Sequence, residues 1–507
     1  MMDRNLKENT RSLPHSVWPA QAIRQLEMQG AAAIGITLYE LMLRAGEAAF
    51  TQIRQCWPQA QHWLILCGHG NNGGDGYVVA RLAQAAGMQV TLLACAGSKP
   101  LPEEAARARQ SWLDAGGTLA DADAHWPEQV DVIIDALLGT GLNRAPSAPY
   151  DALIQAANQH PAPCFALDIP SGLLADSGAA PGEAIIAQST LTFIAFKPGL
   201  LTGQARDFTG EVTCDALGLE DFLASQSAPM HRYDAGALTH WLKPRRPTSH
   251  KGSNGKLVVI GGDHGTAGAI RMTGEAALRA GAGLVRVLTH KDNMLPLLTA
   301  RPELMVHELT DDSLSESLQW ADVIVIGPGL GQRDWGKNAL AAVIKSEKPM
   351  LWDADALNLL AISPDNRQNR IITPHPGEAA RLLNIATAEV EKDRLLAAKN
   401  LAKRYGGVVV LKGAGTVIAS EACPLALADV GNAGMGTGGM GDVLSGIIGA
   451  LAGQQLSLFD AACAGTVAHG AAADAVAVQR GTRGMVATDL FSELYLFVNP
   501  EMLNNKA

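Results

Sequence analysis

Short unbroken apolar runs alternate with longer stretches of helical spacing, and they do so twice along the chain. The first series is His62–Cys67 (HWLILC), Gln89–Cys95 (QVTLLAC), Asp131–Leu137 (DVIIDAL), Cys164–Ile169 (CFALDI) and Thr190–Phe196 (TLTFIAF). The second is Lys256–Ile260, Gly283–Leu288, Asp322–Ile326, Pro349–Trp352, Arg370–Thr373 and Val408–Leu411. A run with no polar alternation must be buried on both faces, and a strand followed each time by a helix gives a parallel sheet covered on both sides. The fold class is therefore α/β with two domains, expected over 1–225 and 226–507, the first a Rossmann-like doubly wound sheet. Ahead of the first run, residues 18–57 carry helical spacing through Ile23, Leu26, Met28, Leu38, Leu41 and Met42. The Ser-, Pro- and Gly-rich stretch 222–250, with Lys243, Arg245 and Arg246, reads as a solvated connection. No short-period repeat is visible, so the two domains are unlike.

A chain of 507 residues is too long for one core. Its net charge of −10 argues against a surface that binds nucleic acid. The first residues mix both charges without the apolar centre of a signal peptide, and no stretch gives the ~18 clean apolar residues of a membrane span. Seven cysteines, an odd number without a CxxC pair, argue against a disulfide framework or a thiolate zinc site. The expected setting is a reducing cytoplasm. The expected partners are small molecules, with no nucleic acid and no membrane, and with self-association through the apolar N-terminal helix.

Chemistry-bearing residues gather after the strands. His62–Cys67 runs into Gly68–Gly76, with Asn71-Asn72-Gly73-Gly74-Asp75, and a helix is expected from Tyr77. A glycine-rich turn at a helix start offers bare N–H groups to a phosphate, or is a tight structural turn. Asp135 ends DVIID and leads into Gly139-Thr140-Gly141-Leu142-Asn143-Arg144-Ala145, and Asp168 ends CFALD and leads into Ile169-Pro170-Ser171-Gly172. A lone Asp there is often a helix cap. Three loaded strand ends point instead to a ligand crevice with hard oxygen ligands for a cation.

The blocks GNNGGDG, DALLGTGL and DIPSG, in that order over residues 20–215, resemble the NAD(P)H-hydrate epimerase family. The resemblance implies epimerisation at C6 of a hydrated nicotinamide cofactor. It implies a potassium ion held by Asn72, Asp135 and Ser171. It also implies substrate contacts from Asn71–Asp75, Gly139–Ala145 and Asp168. Asp168 is the first candidate for proton transfer. Lys197 is a weaker one, read as an exposed structural lysine.

In the second half, Gly431–Gly446 (GNAGMGTGGMGDVLSG) crowds glycines before an apolar helix near Asp442. The positive helix end is expected to keep Asp442 ionised, so that it accepts a hydrogen bond from a substrate hydroxyl, though as a weak base. The block resembles the GxGD anion hole of ribokinase-like kinases. With SHKGSNGKLVVIGG, GPGLG, WDADALN, TPHPGE and LKGAGT, it resembles the ADP/ATP-dependent NAD(P)H-hydrate dehydratase family over residues 235–500. The resemblance implies a ribokinase-like domain with the adenine nucleotide on Lys412-Gly413-Ala414-Gly415-Thr416 and Gly441. The hydrated cofactor would lie near Ala269, Gly329, His375 and Asp442, and Mg²⁺ would accompany ADP or ATP. His375, fixed between two prolines, reads as a ligand contact or a turn residue. The fused order resembles the bifunctional NAD(P)H-hydrate repair family. A ribokinase-type small-molecule kinase with an N-terminal nucleotide-binding module is the rival reading.

Overall fold

The computed structural model describes residues 14–504 and divides into two compact units, one ending at His231 and the other beginning at Arg232. In the first unit seven strands form an all-parallel sheet: β1 (His62–Cys67), β2 (Gln89–Ala94), β3 (Ala120–Asp121), β4 (Val132–Ala136), β5 (Cys164–Leu167), β6 (Ser189–Phe193) and β7 (Glu211–Asp215). The strand order is β3-β2-β1-β4-β5-β6-β7. Every residue of β1 is buried, and its side chains divide with the two-residue period of a strand. Trp63, Ile65 and Cys67 join the core on one face, and Leu64 and Leu66 the core on the other.

The helical stretch at the start is two helices, Ala20–Ile34 and Leu38–Cys56. The break is chemical. Gly35 ends the first helix at φ 73°, and Thr37 and Glu40 exchange side-chain bonds that cap the second.

The second unit is built on β8 (Lys256–Ile260), β9 (Leu284–Thr289), β10 (Met305–Glu308), β11 (Val323–Ile326), β12 (Met350–Trp352), β13 (Arg370–Ile372), β14 (Val408–Leu411), β15 (Thr416–Ser420) and β16 (Cys423–Ala428). Their order is β16-β15-β14-β13-β12-β11-β8-β9-β10, parallel except for the β14-β15-β16 meander. The helix Leu458–Arg480 has an 18-residue window of mean hydropathy 1.3, long and apolar enough by composition to cross a membrane. Here it is a core helix, with Ala461–Ala473 buried all round against Met440–Gly453 and the sheet.

Candidate functional site

In both units the chain reverses its direction across the sheet at one point, between β1 and β4 in the first and between β8 and β11 in the second. Loops leaving the carboxyl ends of such strands splay apart and open a crevice.

In the first crevice the helix begins at Asn71, with Gly70 as its cap, rather than at Tyr77. The glycines serve packing more than ligand approach. A Cβ on Gly73 would lie 2.1 Å from the Gly68 carbonyl oxygen, and one on Gly76 would lie 2.6 Å from Ala136 Cβ. The N–H groups of Asn71, Asn72 and Gly73 stand in the first turn, where a helix has no internal acceptors for them. Asn71 is exposed, Gly74 is buried and Asp75 is half-buried.

Asn72 is buried, and among the described residues both polar atoms of its carboxamide lack a hydrogen-bond partner. It faces the Gly139–Ala145 loop, where a Cβ on Gly139 would sit 4.0 Å from Asn72 Oδ1. Asp135 is fully buried near the end of β4. It accepts bonds from Ser171 N at 2.7 Å, Ser171 Oγ at 2.6 Å and Leu137 N at 3.1 Å. Burial lifts its carboxyl to about 6, against the pull of the Ser171 bonds. These donors carry no charge, so the buried Asp135 carboxylate has no charged partner among them, and the Asn72 carboxamide is orphaned. Amide, hydroxyl and carboxylate oxygens of this kind fit a monovalent metal ion.

Asp168 follows β5 at φ 65°, in the left-handed region, and Ile194 follows β6 at φ 69°. A β-branched residue there is strained by about 1–3 kcal/mol, which the surrounding structure must hold in place. The pair of twisted backbones brings Asp168 onto Lys197. The Lys197 ammonium donates to Asp168 Oδ1, to Thr192 Oγ1 at 2.9 Å and to the Phe193 carbonyl at 2.8 Å. Lys197 is 1% exposed, so its reading as a surface lysine is wrong: the β6 turn folds it under the site. Asp75 is held well above the usual carboxylate range by burial, then by Asp168 and Glu27 nearby, with Lys197 opposing.

In the second crevice, three residues that follow strands meet one from a helix start. Asp353, after β12, is buried and accepts from Lys412 Nζ at 2.9 Å and from Ser445 Oγ at 2.8 Å. Lys412, after β14, also lies 3.8 Å from Glu378. Burial opposes the Lys412 charge, but Asp353 and Glu378 outweigh it and its pKa is raised. Asp442 stands in the first turn of Met440–Gly453, behind Gly439 at φ 91°. Burial and then Asp353 push its carboxyl up to about 7, against the pull of Lys412. The expectation that the helix start holds it low is therefore overturned: desolvation beside another acid wins.

The residues assigned to the nucleotide converge. A Cβ on Gly441 would lie 3.2 Å from Lys412 Nζ. Gly413 and Ala414 are exposed, and Thr416 Oγ1 closes the turn onto the Gly413 carbonyl at 3.1 Å. Buried Arg394 holds this turn from below, donating to the carbonyls of Lys412 at 3.0 Å and Leu411 at 3.3 Å. Gly329, at φ 59°, and the helix carrying Ala269 are stitched together by Thr266, which donates to the Gly329 carbonyl at 2.8 Å. His375 caps its own helix: its Nδ1 accepts from Gly377 N at 3.0 Å, leaving Nε2 outermost. Burial, with Lys412 and Arg381, keeps the ring below its usual pKa, hence neutral.

Asp353, Glu378 and Arg394 carry no role in the sequence reading. Asp353 and Glu378 lie inside the quoted blocks WDADALN and TPHPGE, which was the available signal. Arg394 had none.

Two acid-and-lysine crevices on doubly wound sheets, one at a glycine-flanked helix start, define an α/β enzyme with two separate sites. Comparison with known proteins names the family. Residues 257–495 match the family model described as NAD(P)H-hydrate dehydratase, and residues 38–199 match the YjeF-related protein N-terminus. The chain is 67% identical to a bifunctional NAD(P)H-hydrate repair enzyme of Escherichia coli strain K12, over 99% of this chain and 98% of that one. It is 45% identical to the bifunctional NAD(P)H-hydrate repair enzyme of Leishmania braziliensis, over 95% of this chain and 93% of the relative. A solved ribokinase-like superfamily protein of Enterococcus faecalis V583 shares the fold at a TM-score of 0.50 and 28% identity, covering 54% of this chain and 97% of that chain. The chain belongs to the bifunctional NAD(P)H-hydrate repair enzyme family, and its second unit is ribokinase-like.

Proposed function

We propose that the chain restores hydrated NADH and NADPH with two active sites, an epimerase in the first unit and an ADP- or ATP-dependent dehydratase in the second. The observation that carries this reading is Asp442, a half-buried acid at a helix start whose carboxyl is poised near neutral pH beside Lys412. Asp442 takes the proton of the C6 hydroxyl as its oxygen attacks the terminal phosphorus of the nucleotide. AMP leaves when the nucleotide is ADP. The first-turn amides of Gly441 and Asp442, with Lys412, steady the phosphoryl oxygens. The C6–O bond to the newly attached phosphate then breaks, phosphate departs, and loss of a C5 proton restores the C5–C6 double bond. Mg²⁺ bound with the nucleotide would neutralise part of the charge on its phosphates.

A chiral crevice accepts one C6 epimer, the S form, so the R form has to be converted first. That is the role assigned to the first unit. C6 is a hemiaminal carbon, and inversion needs one of its bonds to break and re-form from the other face, with protons exchanged at Asp168. Asn72, Asp135 and Ser171 would hold the potassium ion, which would supply positive charge beside the Asp135 carboxylate. A cytoplasmic setting belongs to this reading and is supported by cysteines that are all free thiols. So does self-association, supported by Met28 and Ile34, which are exposed on the N-terminal helix.

The test is recovery of reduced-nicotinamide absorbance from a mixed-epimer hydrate. Complete recovery that depends on ADP or ATP supports both activities. A stop near half leaves the epimerase unsupported. Consumption of nucleotide on another alcohol, with a stable phosphorylated product, replaces the dehydratase by a kinase.

A further inference from the structure

The N-terminal helix Ala20–Ile34 has no role in any motif above, yet it is pinned beside the first site at three points. Its first N–H, from Ala20, donates to Asp176 Oδ1 at 2.8 Å. Just before it, Trp18 N bonds the carbonyl of Phe196, the residue preceding Lys197, at 2.9 Å. One turn along, the Arg24 guanidinium reaches the loop opposite, where a Cβ on Gly141 would lie 3.0 Å from its Nη2. Residues three apart share a helix face, so Glu27, three after Arg24 and half-buried, stands on the same face, close enough to Asp168 and Lys197 for both charges to act on it.

We propose that this helix is a wall of the epimerase site, on which Glu27 is the second proton-transfer residue, partner to Asp168, and Arg24 binds the dinucleotide's phosphates beside Gly141. The inference rests on the epimerase reading and names which groups carry it out. Inversion at a hemiaminal needs two proton sites. As the C6–N1 bond breaks, Asp168 takes the proton of the C6 hydroxyl and Glu27 gives one to N1, leaving a C6 aldehyde and an N1–H enamine. Rotation about the C5–C6 bond turns the other face of the aldehyde to N1. On ring closure N1 returns its proton to Glu27 and Asp168 returns its own to the new hydroxyl, so both acids end as they began.

The surroundings suit that division of roles. Asp168 is bonded to Lys197, while Glu27 is lifted to about 7 by burial and then by Asp168, with Lys197 and Arg24 opposing. Two carboxyl groups in one site, one paired with an ammonium and the other not, are the usual mark of a base and an acid. The charged groups that face Glu27 are Arg24 on its own helix, Asp75 on the helix after β1, Asp168 after β5 and Lys197 after β6.

The test uses the whole enzyme with ADP and a hydrate enriched in the R epimer, so that absorbance recovery is limited by epimer exchange. Glu27→Gln should lower kcat for exchange by about 100-fold or more and remove the fall in rate on the basic side of its pH profile. Glu27→Asp should keep that fall and recover part of the rate. Arg24→Met should raise KM about tenfold. Exchange by Glu27→Gln within threefold of the parent, or a basic limb that persists in it, overturns the assignment of Glu27. An unchanged KM in Arg24→Met overturns that of Arg24. Absence of exchange in the parent enzyme itself overturns the epimerase reading instead.

Discussion

Each unit gathers three carboxyl groups around one lysine, and the two lysines are spent differently. Lys197 gives all three of its N–H donors to protein oxygens, on Asp168, Thr192 and the Phe193 carbonyl, and is 1% exposed. Lys412 makes one hydrogen bond within 3.5 Å, to Asp353, and its side chain keeps 19% of its surface open, toward Gly441. An ammonium with no donor left can only orient its carboxylate, while one with donors to spare can also meet an incoming phosphate. The first site is thus arranged for moving protons, and the second for taking an anion at a helix start.

The sharpest way to break that contrast is Asp442→Asn. It should cut nucleotide-dependent dehydration by about 10³-fold or more, read as phosphate release, while R-to-S exchange, followed by chromatography, continues. Retained dehydration would remove Asp442 from its role. Next comes Lys197→Met, which leaves the half-buried Asp168 carboxylate without its partner. Exchange should fall about 100-fold, and the first unit should lose about 3 kcal/mol of stability by denaturant titration. If stability is unchanged, Lys197 is not the support described here. Lys412→Met should weaken the nucleotide more than the hydrate, raising its KM about tenfold; a purely structural lysine would shift both alike. Replacing potassium by tetramethylammonium should slow exchange and spare dehydration.

The smallest effect is on stability. Asp442 titrates at about 7 in the folded chain against 3.8 as the ordinary value. The folded chain binds that proton more tightly, so the contribution is complete below pH 3.8 and is lost as pH rises to about 7. Asp442→Asn should therefore raise Tm by roughly 2–4 °C at pH 8 and leave it unchanged at pH 4. The dehydration rate of the parent should rise over the same interval, with a midpoint near 7.

What the sequence made legible follows from what burial does to a pattern. The doubly buried strands β1, β4, β5, β8 and β11 stand out as apolar runs. The edge strands β7 (EVTCD) and β10 (MVHE) do not, because half-buried strands keep polar residues. The helix start at Asn71 was hidden since Asn and Gly disfavour helices on their own, and only close packing on β1 and β4 imposes it. Asp168, Asp135 and Asp442 were found because they follow strands or glycines. Glu27 was not, because it lies on a helix far upstream, and Lys197 stood only as a weaker candidate because its residue type is almost always exposed.

Ala354 follows Asp353 at φ 48° and ψ −116°, a conformation that only glycine adopts without cost. Replacing it with glycine would relax the turn that aims Asp353 between Lys412 and Ser445. A screen that rewards heat tolerance alone should therefore find Ala354→Gly early, and the enzymes it selects would outlast the parent while turning over more slowly.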